Sequence, residues 1–246
     1  MLRKLIGSVR FLRAFSRLIE DPSQLDVVFE LGRHALRGPT LPPELARPEV
    51  LAYVRAPEPP RPFEVDLDAL RGLPRGTLGR AFADWLTAHG FEPGELMEYD
   101  RRHNQGDSEV VRYRTHLQST HDLWHVLTGF DTDVDGEVGL QAFYLAQLNT
   151  PLAPIVIAAA TLAVLRKRMD ATGHMDAITR GWRMGKAARP LFGVDWASLW
   201  STPLAEVRAR FALAPADSVS EDLASENVAS TPAVPAPAAA TAARAA

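Results

Sequence analysis

The 246-residue chain contains no cysteine. That absence removes disulfides, thiolate zinc sites, iron–sulfur clusters and cysteine nucleophiles together, so any metal site must be built from histidine and carboxylate. An excess of basic charge is lacking too. The 27 Lys and Arg stand against 30 Asp and Glu, a formal charge of −3, which argues against nucleic acid as a partner. The imbalance is confined to the chain end, where Asp217, Glu221, Asp222 and Glu226 are offset only by Arg244. Long apolar runs are also missing. Pro151 to Leu165, the longest near-continuous one, has 15 residues against the roughly 20 that span a bilayer, so no integral membrane span is expected. Internal repeats and period-two alternation are absent, which excludes repeat and sheet architectures. What is present is a chain 46% apolar and 23% charged, enough for the core of one domain of about 200 residues.

The periodicity that does occur is helical. Leu2, Leu5, Ile6, Val9, Leu12, Phe15, Leu18 and Ile19 form a stripe, with Arg3, Lys4, Arg10, Arg13 and Arg17 mostly off it. This is an amphipathic helix. Its five bases also resemble a transit peptide, but a second helix closely follows, which favours a retained helical hairpin. Asp21 and Pro22 are expected to cap that second helix, which carries Leu25, Val28, Phe29, Ala35 and Leu36 and stops at Gly38-Pro39. Residues 38–62 hold eight of the 19 prolines and read as a connector with one short helix near Glu49 to Val54. Further helices are expected from Thr77 to Gly90, from Asp107 or Ser108 to Leu127, from near Glu137, from Pro151 to Arg168, from Asp176 to Arg189, and from Trp196 to Phe211 with a break at Pro203. The Pro151 helix, apolar nearly all round, is expected to be buried. The reading is therefore all-α: a single helical domain over residues 1–213 with a Pro-rich connector, and a disordered Ala/Pro/Ser-rich tail over 214–246.

Chemistry concentrates in one place. His121 and His125 lie four apart on a helix, so their rings project from one face and can share an ion. Glu137 follows His125 after eleven residues. On one unbroken helix it would sit on the wrong side, twelve steps of about 100° leaving it roughly 120° away. Gly129 and the Asp131 to Gly136 cluster supply a reversal that would return it to the histidines as a ligand. Asp122 projects about 100° from His121 and reaches the ion only through a favourable rotamer or by orienting a ligand. The bland alternative leaves the two histidines as ordinary hydrogen-bonded side chains and Glu137 as a helix N-terminal charge. An HExxH-type peptidase is weakly supported, because aspartate replaces the glutamate base. A Ser-His-Asp hydrolase lacks its G-x-S-x-G elbow, and an HD phosphohydrolase lacks a clear earlier His and later Asp. Arg112, Arg114 and His116 could neutralise an anionic substrate or simply form a solvated face. His34, His89, His103 and His174 have no comparable partners in the sequence and receive no site role.

The stretch RYRTHLQSTHDLWHVLTGFDTDVDGEVGLQAF, with its HDxxH, eleven residues and Glu, resembles the coenzyme Q (ubiquinone) biosynthesis protein four family. LPRGTLGRAFADWLTAHG and PLFGVDWASLWSTPLAEVRARFAL extend the resemblance over about residues 12 to 213. Gln118, Ser119 and Thr120 depart from the Arg-Glu that often precedes the His-Asp doublet in that family. The resemblance implies an all-helical fold and a divalent metal, most often zinc, held by His121, Asp122, His125 and Glu137, which are then also the catalytic residues. It implies a peripheral place at the membrane where ubiquinone is made: the bacterial inner membrane from the cytoplasm, or the matrix face of the mitochondrial inner membrane. The implied reaction is decarboxylation at the carboxyl-bearing ring carbon of a 4-hydroxy-3-methoxy-5-polyprenylbenzoate, with hydroxylation of that carbon in the fuller description. The implied partners are the polyprenylated benzoate or another quinone-precursor lipid, other ubiquinone-biosynthesis proteins, and a second copy in a homodimer. The alternative the family leaves open is a noncatalytic lipid-binding scaffold for those proteins. Two histidines and one carboxylate would equally suit Fe2+, and Mn2+ is a further option.

Overall fold

A computed structural model describes residues 2–22, 24–58, 65–91 and 106–214, with side chains 2–9 and 25 left out of the description. Its helices are α1 (Leu2–Glu20), α2 (Leu25–Ala35), α3 (Pro48–Val54), α4 (Leu67–Arg71), α5 (Leu78–His89), α6 (Glu109–Thr128), α7 (Val134–Leu148), α8 (Leu152–Arg166), α9 (Thr172–Ala187) and α10 (Leu204–Arg210). Short 3-10 turns occupy Pro43–Leu45 and Trp196–Leu199, and no strand occurs among the described residues. The fold is all-α. The tail expected to be disordered falls, apart from Ala214, outside the described residues, as does His103.

The helix boundaries follow capping chemistry. Thr77 accepts from the Arg80 N–H at 3.4 Å to start α5, and Gly90, at φ 68°, ends it. Ser108 likewise accepts from Val111 N at 3.3 Å to start α6, the longest helix of the core. Gly129 then takes φ 75°, a left-handed turn that only glycine adopts without penalty, and the chain reverses. Asp133 accepts from Gly136 N at 2.7 Å and launches α7 antiparallel to α6. Gly136 is required sterically as well: a Cβ there would lie 2.1 Å from the Asp131 carbonyl oxygen, so the loop folds tightly onto the first turn of α7.

The α6–α7 hairpin is packed in the core and leaves one side of its His121 and Glu137 end exposed. Val110, Tyr113, Leu123, Trp124 and Leu127 of α6 and Leu140, Phe143, Tyr144 and Leu148 of α7 are buried in one apolar core with Phe82 and Leu86 of α5 and Phe192, Trp196 and Val207 from the C-terminal segments. Helix α9 packs on α7 almost backbone to backbone, since a Cβ on Gly181 would lie 1.9 Å from the Gly139 carbonyl oxygen. From α10, the Arg208 guanidinium donates to the Val126 and Leu127 carbonyls at 2.8 and 3.0 Å, satisfying acceptors in the last turn of α6. A second apolar cluster joins Ala14 and Leu18 of α1, Val27 and Leu31 of α2, and Val156 and Ala159 of α8. Of the described part of the N-terminal stripe, Leu18, Phe15 and Ile19 pack in this cluster, whereas Leu12 is exposed.

Several sequence expectations need correction. Asp21 and Pro22 lie in the turn before α2, which begins at Leu25 without a side-chain cap. Helices α7 and α9 start earlier than the apolar period suggests, because Asp133 caps the first and polar Thr172 to Met175 join the second. The five-residue α4, capped by Asp66, is too short to show a period. Helix α8 is not wholly buried: Pro154, Ala158, Leu162 and Leu165 form an exposed apolar stripe on it.

Candidate metal centre

The reversal at residues 129–133 does what the spacing requires. It brings Glu137, on the first turns of α7, against His121 and His125 on the last turns of α6. His125 Nε2 lies 3.3 Å from His121 Nε2 and 3.3 Å from Glu137 Oε1, and His121 Nε2 is 3.7 Å from Glu137 Oε2. One donor atom from each residue fits within 4.8 Å of the others, the group of His, Asp and Glu that could hold an ion among the described residues.

The hydrogen bonds around the rings orient them for this task. His125 Nδ1 lies 3.0 Å from the Phe130 carbonyl oxygen, which can only accept, so Nδ1 carries the hydrogen and Nε2 is left with a lone pair aimed into the cluster. His121 Nδ1 is 3.4 Å from the Tyr144 hydroxyl, again leaving Nε2 inward. Two ring nitrogens and a carboxylate thus converge on one point, where a proton or a divalent cation can bridge them. This is the pattern of metal-ligating histidines, whose outer nitrogens are fixed by a carbonyl or hydroxyl. The residues present fit a divalent ion.

Electrostatics agree with the geometry. Burial pushes the Glu137 carboxyl upward, but the hydrogen bonds and charges of His121 and His125 override it and hold it well below the usual range. For His121, burial works against the charged form, and Glu137 with Asp122 outweighs it and raises the pKa. Burial raises the Tyr144 hydroxyl well above its ordinary value, so it stays protonated. The cluster is closed on one side and open on the other: His125 side chain is 1% exposed, whereas His121 and Glu137 are 25% and 34% exposed. The ring of Trp85 stacks on His125 at 5.5 Å and 17°, and Trp124 stacks on Tyr144 at 4.5 Å behind His121.

The four residues singled out in the sequence do not all converge. Asp122 stands outside the three-donor group, yet close enough for its charge to act on His121, Tyr144 and His89. Arg112 is held by Asp107 and by the Val54 and Ala56 carbonyls, Arg114 donates to the Leu36 carbonyl, and His116 is buried against Phe192. Two histidines without sequence partners acquire them in space. His89 meets Asp131 at 3.0 Å across 42 positions. His174 meets Asp135 at 2.9 Å across 39 positions and Thr161 at 3.0 Å, bracing the start of α7 two residues before Glu137. In the sequence His89 falls on the apolar stripe of Leu78, Phe82 and Leu86, whereas His174 lies before the helix expected from Asp176, and nothing local points to the partner of either.

Fold and site together define an all-helical protein with two histidines and one carboxylate, placed so that they could hold a cation, on a helical hairpin. The family described as Coenzyme Q (ubiquinone) biosynthesis protein Coq4 matches residues 61–217, and the chain belongs to that family. Among curated relatives, the mitochondrial ubiquinone biosynthesis protein COQ4 of Coprinopsis cinerea is 28% identical over 201 residues, spanning 79% of this chain and 67% of the relative. The mitochondrial COQ4 homolog 1 of Culex quinquefasciatus is 30% identical over 144 residues, 58% of this chain and 50% of its own length. The chain thus spans between half and two thirds of these relatives. A crystal structure of a Nostoc punctiforme protein assigned to ubiquinone biosynthesis matches with a TM-score of 0.66 at 28% identity, covering 83% of this chain and 97% of that one. No helix among the described residues is long and apolar enough to cross a membrane.

Proposed function

We propose that residues 1–213 form a metal-dependent enzyme of ubiquinone biosynthesis. It removes the carboxyl group from the ring of a 4-hydroxy-3-methoxy-5-polyprenylbenzoate. The carbon–carbon bond to the carboxylate breaks, CO2 leaves, and the ring carbon takes a proton, or a hydroxyl group where O2 and a two-electron donor are consumed together and the second oxygen leaves as water. One observation supports the reading: both Nδ1 atoms are engaged outward, so the two Nε2 atoms and the Glu137 carboxylate converge on one point. His121, His125 and Glu137 would hold the ion, most often zinc in this family, with Asp122 adding negative charge beside it. A divalent ion bound there supplies Lewis acidity toward the substrate carboxylate or phenolate. Buried His125 acts as the fixed donor, while the partly exposed His121 and Glu137 face the side from which a carboxylate arrives. Peripheral membrane contact is supported by the exposed apolar stripe of α8 with Arg166, Lys167 and Arg168 at its end, the composition of a surface lying on anionic lipid.

Purified full-length chain, assayed for bound metal and for turnover of the prenylated benzoate, tests the proposal. His121→Ala, His125→Ala and Glu137→Ala should each lose metal and product formation while remaining folded. Full turnover by a metal-free triple variant would overturn the enzymatic reading. Folded wild-type protein that binds precursor lipid and pathway proteins without turning anything over would leave the scaffold.

A further inference from the structure

We propose that His89 is a positioning residue of the metal centre: from the end of α5 it latches the reversal loop, so that the Phe130 carbonyl stays on His125 Nδ1. This rests on the metal reading of His121, His125 and Glu137. The loop from Gly129 to Asp133 supplies the Phe130 carbonyl that fixes the His125 tautomer. It also lies at the open side of the hairpin, where Asp131 is 72% exposed. Phe130 is buried in the core and anchors the loop from within, and His89 adds a contact from α5 on the solvent side. Its Nδ1 lies 2.8 Å from the Trp85 carbonyl oxygen and its Nε2 lies 3.0 Å from Asp131 Oδ1. Carbonyl and carboxylate oxygens only accept, so the protonated ring is the form that donates to both. The Trp85 carbonyl and the Asp131 carboxylate raise its pKa accordingly.

The latch has a second arm. Trp85, one turn before His89, meets the His89 ring at 4.3 Å, tilted by 32°, and stacks on the His125 ring at 5.5 Å. One turn of α5 therefore touches the buried ligand directly and the loop that orients it. Asp131 reinforces the loop from within by accepting from Thr132 N at 2.8 Å. The His89–Asp131 pair itself is too exposed to add much stability. Its consequence is geometric, since partners that orient ligating histidines typically change metal affinity about 10- to 100-fold.

The test uses full-length protein stripped with a chelator and titrated with Co2+, whose d–d absorption reports ligand geometry. His89→Ala and Asp131→Ala should each weaken Co2+ about tenfold and alter the absorption envelope, with the metal-free melting temperature nearly unchanged. The double variant should lose no more than either single one, because both act on one contact. His89→Gln, whose amide can donate to Asp131, should recover most of the affinity. Wild-type affinity and spectrum in His89→Ala would overturn the latch, as would a loss that tracks metal-free stability and is not rescued by Gln. Failure of the wild-type chain to bind Co2+ would overturn the metal-centre reading itself, and the latch with it.

Discussion

Mild acid should destabilise this protein through a residue outside the His121, His125 and Glu137 cluster. His116 is 5% exposed, its ring 4.4 Å from that of Tyr53 and 4.3 Å from that of Phe192, and its Nε2 accepts from the Gly193 N–H at 3.0 Å. A protonated ring could not accept that bond. Burial pushes its pKa from 6.5 down to about 3. In the unfolded chain the ordinary value returns, so at intermediate pH the unfolded state takes up a proton that the folded state refuses. Because the folded pKa is depressed below the unfolded one, this stability is complete above pH 6.5 and declines as pH falls toward 3. Each unit in that window is worth about 1.4 kcal/mol, and stepping from pH 7 to pH 5 removes about 2 kcal/mol through this ring alone. Any folded value below 4 leads to the same result. His116→Gln keeps a neutral acceptor for Gly193 and cannot be protonated. Urea unfolding of both proteins at pH 7, 6 and 5 should show the stability difference moving by about 2 kcal/mol in favour of the variant on acidification. A difference that stays constant with pH would refute a neutral, accepting His116.

Three further outcomes follow from the packing and the site. Gly181→Ala places a methyl group 1.9 Å from the Gly139 carbonyl and should cost about 3 kcal/mol, read as a fall in melting temperature. Arg208→Met leaves the Val126 and Leu127 carbonyls without their cationic donor and should cost about 2 kcal/mol in urea unfolding. Asp122→Asn should still bind one equivalent of Zn2+, with affinity within about tenfold of wild type, whereas His125→Ala should lose the ion; isothermal titration calorimetry distinguishes these, and equal losses would make Asp122 a ligand.

The parts of this molecule legible in its sequence are those set by neighbours. Thr77 with Gly90 and Ser108 with Gly129 mark helix ends through hydrogen bonds spanning a few residues, and the structure uses them as caps. The His121, His125 and Glu137 grouping was legible because a helix and one reversal determine it. Other features depend on distant partners. His89 and His174 carry no local sign of Asp131 or Asp135, since each pairing is made by helices from different parts of the chain. The exposed stripe of α8 was misread because apolar residues on all sides indicate burial only when every side has a neighbour. Asp122 adjoins His121 in the chain, but one helical step turns it away from the donor group.

The helical hairpin bears on the order in which the chain acquires its parts. All three donors lie between residues 121 and 137, bridged by a loop of a few residues, so assembling them incurs little chain-closure entropy. The seam of α9 on α7 and the His89 latch enclose far longer stretches and form only after larger losses of freedom. Closing the hairpin therefore brings His121, His125 and Glu137 together at a smaller loss of freedom than docking the remaining helices around them requires.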